Sequence, residues 1–246
     1  MKTWKNLMLL RHLLIAMLVL TSSPIRAADS VLLAAGAGYR KPVLELLANF
    51  SKVSGVRAEA SFGNMKQVET QAQQNPDVAF IVGDRVFMEP MQLAERYVLL
   101  GQGRLVLVLA RGQAIGTIAE LKEPRFKRIA LPDRTKAVYG NAAATCLQRL
   151  GLDHALADKL LEVATVPQVS TYVATGEVDA GFINLTEALA LDGRAYARLD
   201  VPGSCYDPIE LSVGVIKGRS GSAGARSFLN YLATPEARRV LERHGL

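Results

Sequence analysis

Across its 246 residues the chain has two cysteines, three histidines and one tryptophan, and aromatic residues make up only 6% of it. Two cysteines in a chain of this length exclude a small disulfide-stapled scaffold. His12 lies near the amino terminus, while His154 and His244 fall in helical patterns with no second ligand at metal spacing. Both read as solvated helix residues, and no protein-coordinated metal is expected. There is no G-x-S-x-G and no histidine beside an exposed serine or cysteine, so nucleophilic catalysis lacks its parts. Basic residues are dispersed and aromatics few, which leaves no stacking platform and excludes nucleic acid as a partner. No hydrophobic run reaches the roughly 20 residues of a membrane-spanning helix. Repeats, low-complexity stretches and long linkers are also missing.

What is present is a folded composition, with 50% hydrophobic and 21% charged residues. The length suits one large domain or two lobes of roughly 100 residues, each with its own core. The formal charge is +6, but much of it is local. Residues 1–28 hold Lys2, Lys5, Arg11 and Arg26 and no acid, around the apolar run Leu13–Leu20. A basic start, a short apolar stretch and Ser22-Ser23-Pro24-Ile25-Arg26-Ala27-Ala28 read as a cleavable secretory signal, with cleavage after Ala27 favoured. Without those four cations, 25 of the 29 basic residues face 23 acids, a charge of +2. The remaining chain is expected to be exported and soluble. Cys146 and Cys205 are compatible either with a disulfide or with two separately buried thiols.

The pattern along the chain is β-loop-α. A buried strand over 30–35 leads through Gly36-Ala37-Gly38 into a helix over 42–53, with Val43, Leu46, Leu47, Phe50 and Val53 at helical spacing. A strand over 56–62, the loop Gly63-Asn64-Met65 and a helix over 65–74 follow, then a strand over 77–82. The most apolar strand, 105–110, precedes a second series. Strands are expected over 128–133, 162–166 and 179–184, and helices over 139–150, 153–161 and 168–175. A last strand over 210–216 and helices over 222–232 and 235–243 close the chain. This predicts an α/β fold of two lobes, each a mostly parallel sheet flanked by helices, joined by two crossover segments. The expected division is residues 29–108 and 210–246 in lobe 1, and 109–209 in lobe 2.

Gly36-Ala37-Gly38 lacks the third glycine of a dinucleotide fingerprint, because position 41 is lysine, so no such cofactor is expected. A small-residue turn feeding a helix still aims N–H groups and the positive dipole end at one point, an anion site. The turns at Gly63-Asn64 and at Val138-Tyr139-Gly140-Asn141 repeat that arrangement. Asp77, Asp84, Asp133 and Glu187 lie near strand ends, where carboxylates cap turns and helices more often than they act as acid and base.

Several segments, in order, resemble the molybdate-binding proteins of ABC importers, which are periplasmic solute-binding proteins of the type II fold. They are Leu33-Ala34-Ala35-Gly36-Ala37-Gly38, Ser61-Phe62-Gly63-Asn64, Pro76-Asp77-Val78-Ala79-Phe80-Ile81, Arg104-Leu105-Val106-Leu107-Val108, Leu147-Gln148-Arg149-Leu150-Gly151, Thr175 to Phe182, and the ending Ala225 to Leu246. The resemblance implies a periplasmic monomer without cofactor or catalysis. Its lobes would close on a tetrahedral oxyanion, molybdate or tungstate, and deliver it to a membrane permease. Sulfate, phosphate or a small organic acid as ligand, a sensor as recipient, and an enzyme on the same fold are the competing readings.

Carried onto this chain, the ligand-binding positions are Gly38, Asn64, Met65, Tyr139, Val166 and Asn184. The departures matter, because the family serine of the first loop is Gly38, that of the second falls at Asn64 or Met65, and the family tyrosine is Asn184. Each hydroxyl lost without replacement would forfeit a charge-assisted hydrogen bond of roughly 1.5–3 kcal/mol. Main-chain amides, side-chain amides and Tyr139 are the expected substitutes. Serine at Gly38 is accordingly expected to retain or raise affinity.

Overall fold

The computed structural model describes residues 30–191 and 197–246. The expected signal segment, residues 1–28, lies outside them.

Two five-stranded sheets form the two lobes. The first runs β2 (Arg57–Gly63), β1 (Ser30–Gly36), β3 (Val78–Asp84), β10 (Ile209–Ile216), β4 (Ala94–Gly103). The second runs β7 (Leu160–Val163), β6 (Ile129–Pro132), β8 (Ala180–Asn184), β5 (Leu105–Leu109), β9 (Arg198–Asp200). Each begins with three parallel strands, and the fourth strand, β10 or β5, is antiparallel to both its neighbours, so the sheets are mixed where mostly parallel ones were expected. The α/β two-lobed architecture expected from the alternating pattern is therefore the one observed.

The helices are α1 (Arg40–Ser54), α2 (Met65–Gln74), α3 (Arg85–Met88), α4 (Val138–Arg149), α5 (Asp153–Leu156), α6 (Val166–Thr175), α7 (Leu185–Leu189), α8 (Ala223–Leu232) and α9 (Pro235–Arg243). In α1 the buried face is Pro42, Val43, Leu46, Leu47 and Phe50. Val53 departs from that stripe and is 61% exposed. Phe50 anchors the first lobe, its ring 5.2 Å from Phe228, which itself lies 5.3 Å from Phe80. Burying one such ring contributes about 1.5–3 kcal/mol. In the second lobe Phe126, Leu131, Leu147 and Phe182 are buried.

Three further features differ from the sequence expectation. β4 carries no alternating pattern, because it is a half-exposed edge strand whose pairing with β10 shifts register twice. The turn expected as a helix over 153–161 is only α5 and a 3-10 turn, after which β7 already begins at Leu160. β5 belongs to the second sheet, so the first crossover lies at Gly103-Arg104 rather than at residue 108. The apolarity of β5 marks a central strand, and both lobes have one.

The second crossover, just before β10, is tied at three consecutive residues. Cys205 forms a disulfide with Cys146 of α4, resolving the alternative the sequence left open. The Tyr206 hydroxyl accepts from Leu105 N–H at 3.1 Å. Asp207 pairs with Arg149 of α4 at 2.5 Å. His244 is also no solvated bystander, since its ring nitrogen lies 2.7 Å from Glu45 and its side chain is 19% exposed.

Candidate functional site

Between the lobes lies a cavity of about 30 Å³ lined by residues 36–39, 63–65, 137–139 and 165–166. Each segment follows the carboxyl end of a strand (β1, β2, β6 and β7) and leads into a helix or its opening turn, where open α/β sheets bind ligands. A 3-10 turn over Ala37–Tyr39 precedes α1. Asn64 caps α2, Ala137 precedes α4, and Thr165 caps α6. Four helix starts from two lobes thus converge, two from each.

A helix leaves its first N–H groups without helical acceptors. Those of Val138 and Tyr139 stand at the first two positions of α4, and that of Val166 opens α6. The next residue of α6 is Pro167, which has no N–H, so Val166 is the single main-chain donor at that point. The loop before α4 is fixed by Asp133, whose carboxylate accepts from Thr135 and Lys136 N–H at 2.9 and 2.8 Å. Burial acts to raise its pKa, yet the hydrogen bonds from Thr135 and Lys136 together outweigh it and hold Asp133 at about 2. Gly140 allows this loop to fold back on the helix, since a Cβ there would stand 2.2 Å from the Asp133 carbonyl.

Five of the six sequence-selected positions line the cavity: Gly38, Asn64, Met65, Tyr139 and Val166. Several of their polar groups already have partners. Asn64 Oδ1 accepts from Gln67 N–H at 3.0 Å, and Asn64 N–H donates to Gln67 Oε1 at 2.9 Å, a reciprocal cap. Met65 N–H donates to the Lys136 carbonyl of the other lobe at 2.8 Å. Asn184 is fully buried and does not line the cavity. Its amide donates to the Gly38 carbonyl at 2.8 Å, and its Oδ1 caps α7 by accepting from Glu187 N–H. Asn184 is therefore a link between lobes in this structure, where the resemblance implied a ligand donor.

Residues that the sequence reading passed over include Tyr39 and Thr165, whereas Ala37 and Val138 lie in turns that it marks as anion sites. Thr165, followed three residues later by Gln168, is a legible capping pair. Tyr39 carried no local signal. Its hydroxyl lies 2.9 Å from that of Tyr139, one from each lobe, with the rings 5.9 Å apart. Burial first, then the neighbouring phenol, pushes the Tyr39 pKa well up, and burial likewise raises Tyr139, so both are protonated donors at neutral pH. Beneath them, Gly103 of the first crossover must be glycine, because a Cβ would meet the Tyr139 hydroxyl at 2.2 Å.

Among the described residues no charged side chain lines the cavity. Cations around it have other contacts: Lys136 with Asp133 at 3.4 Å, Arg134 with Glu162 at 3.2 Å, Lys41 with Glu187 across the cleft at 3.8 Å, and Arg40 over the Phe62 ring. Among the described residues there is also no cluster of three metal-ligating side chains. Of the carboxylates near strand ends, Asp133 orders a turn, Glu187 faces Lys41, and Asp84 accepts from Glu210 N–H at 3.1 Å.

Two α/β lobes joined by two crossovers, with a small neutral cavity at facing helix starts, make up the architecture of a two-lobed solute-binding protein. The chain belongs to the family described as bacterial extracellular solute-binding protein, whose model matches residues 31–246. It is 29% identical over 227 residues to the molybdate-binding protein ModA of Azotobacter vinelandii, covering 89% of this chain and 90% of that one. The solved structure of an Azotobacter vinelandii periplasmic molybdate-binding protein superposes with a TM-score of 0.79 at 22% identity, over 87% of this chain and 97% of that one. An aconitate isomerase from a Pseudomonas species is 26% identical over 248 residues, covering 93% of each chain. Of these similar proteins, two are named for molybdate binding and one for catalysis.

Proposed function

We propose that this protein is an exported, periplasmic receptor for a small tetrahedral oxyanion, molybdate or tungstate, which it delivers to the permease of an ABC importer. The observation carrying the reading is the cavity itself: about 30 Å³, neutral, and bounded by helix starts from both lobes. Aimed N–H groups and helix dipoles stabilise a desolvated dianion without a counter-charge. A volume of this order suits a compact inorganic ion and falls far short of a tricarboxylate such as aconitate. The likeness to ModA over most of both chains supports the choice of molybdate. A role in binding, without catalysis, is supported by the lining, which offers neither carboxylate nor imidazole to move a proton.

Thermal shift and calorimetric titration against molybdate, tungstate, sulfate, phosphate and aconitate test the proposal. Stabilisation by molybdate or tungstate at micromolar concentration is expected through mass action on the folded state. A response to aconitate alone would overturn the choice of ligand.

A further inference from the structure

The Tyr39–Tyr139 pair holds two hydroxyl protons but makes one mutual bond. The two oxygens lie 2.9 Å apart and both side chains are buried. Whichever hydroxyl donates to the other, the second proton has no acceptor among the described residues. A buried donor without a partner is costly, and native structures leave few of them. Both tyrosines line the cavity, one from each lobe. The neighbouring polar side chain, Asn184, acts toward the pair as a donor, since its amide bonds Tyr139 as well as the Gly38 carbonyl while its Oδ1 accepts from Glu187 N–H, and the Leu105 N–H is the bonded partner of Tyr206.

Resting on the oxyanion reading above, we propose that the Tyr39–Tyr139 pair is a ligand-donating unit that gives its spare O–H to an oxygen of the bound anion. It replaces in function the hydroxyls missing at Gly38 and Asn184, by joining Tyr139 to Tyr39, a residue that the resemblance does not single out. The pair also spans the cleft, so its spare proton is presented only when the lobes meet. A fully ionised oxyanion oxygen accepts such a bond, whereas a protonated oxygen in the same place would set donor against donor.

The test is calorimetric titration of sodium molybdate into wild type, Tyr39→Phe, Tyr139→Phe and the double variant. The double variant is expected to bind about 10- to 100-fold more weakly, as loss of a charge-assisted hydrogen bond would produce. Its thermal midpoint without molybdate is expected to stay close to wild type, because both partners of one bond are removed together. In at least one single variant the remaining hydroxyl gives its only proton to the anion, and affinity holds within about threefold of wild type. A tyrosine difference band in the near ultraviolet should accompany binding in wild type and vanish in the double variant. Wild-type affinity in the double variant would overturn the inference. So would equal losses in both singles and the double, since a purely structural link breaks at either end. Failure of wild type to bind any of the inorganic oxyanions would instead remove the functional reading on which the inference rests.

Discussion

Asn184 of the second lobe donates its side-chain amide to the carbonyl of Gly38 in the first, at 2.8 Å and 146 residues apart. The bond joins the end of β8 to the turn that opens α1, and it brings Val166 against the same glycine. A Cβ built on Gly38 would stand 3.2 Å from the Asn184 amide and 3.3 Å from Val166 Cγ2. A side chain at position 38 would thus require Asn184 or Val166 to give by a few tenths of an ångström. Met65 N–H to the Lys136 carbonyl, Thr186 to the His244 carbonyl and the tyrosine pair make the same junction at other points.

Gly38→Ser is accordingly expected to weaken molybdate binding, reversing the expectation from sequence. Crowding of this kind costs about 1–3 kcal/mol, or roughly 5- to 150-fold in affinity. Trimming the opposing side chain should restore much of it, so Gly38→Ser combined with Val166→Ala is the informative variant in a calorimetric titration. An affinity gain in Gly38→Ser alone would mean that Val166 and Asn184 yield without cost.

Asn184→Ala removes the amide donor to Gly38 and the cap of α7 together. Loss of a cap costs about 0.5–2 kcal/mol, and an unsatisfied buried carbonyl about 1–3 kcal/mol. Urea unfolding should therefore show a loss of roughly 2–4 kcal/mol. Unchanged stability would indicate that water reaches the Gly38 carbonyl.

Asp84 predicts a pH dependence. Burial, its largest influence, pushes the carboxyl from 3.8 up to about 6 against the pull of backbone N–H groups of Glu210, Val86 and Arg85. The folded chain then holds a proton that the unfolded chain has released between about pH 4 and 6, so this group's contribution falls as pH rises through that window. Asp84→Asn keeps an acceptor for Glu210 N–H and removes the charge. It should stabilise by about 1–3 kcal/mol at pH 8 and change little at pH 4. Equal effects in urea melts at both pH values would exclude ionisation as the cause.

The Cys146–Cys205 disulfide closes a loop with a sequence separation of 59, between α4 and the second crossover. A closed loop of that order constrains the unfolded chain by about 4 kcal/mol in the chain-entropy account. Serine at both positions is expected to lower the denaturant midpoint to the same extent as reduction by dithiothreitol. A midpoint that dithiothreitol leaves unmoved would contradict this.

From the sequence came the alternation of strands and helices and the small-residue turns at strand ends, because hydrophobic period and turn chemistry are local, while the five positions that meet at the cavity came from the family resemblance. Val43, Leu46, Leu47 and Phe50 announce their helix by spacing alone, and the turn at 63–65 is placed by the strand and helix on either side. The order of the segments was also enough to suggest the family. Distance through space is not local, and there the sequence was silent. Nothing in the neighbourhood of Tyr39 announces a partner 100 residues away, and no pattern tells Asn184 to spend its amide on Gly38. The lobe to which β5 belongs, and the pairing of Cys146 with Cys205, were likewise open. Tertiary structure decided which donors of the candidate site are already bonded, because each lobe supplies partners that only the approach of the other brings within hydrogen-bond reach.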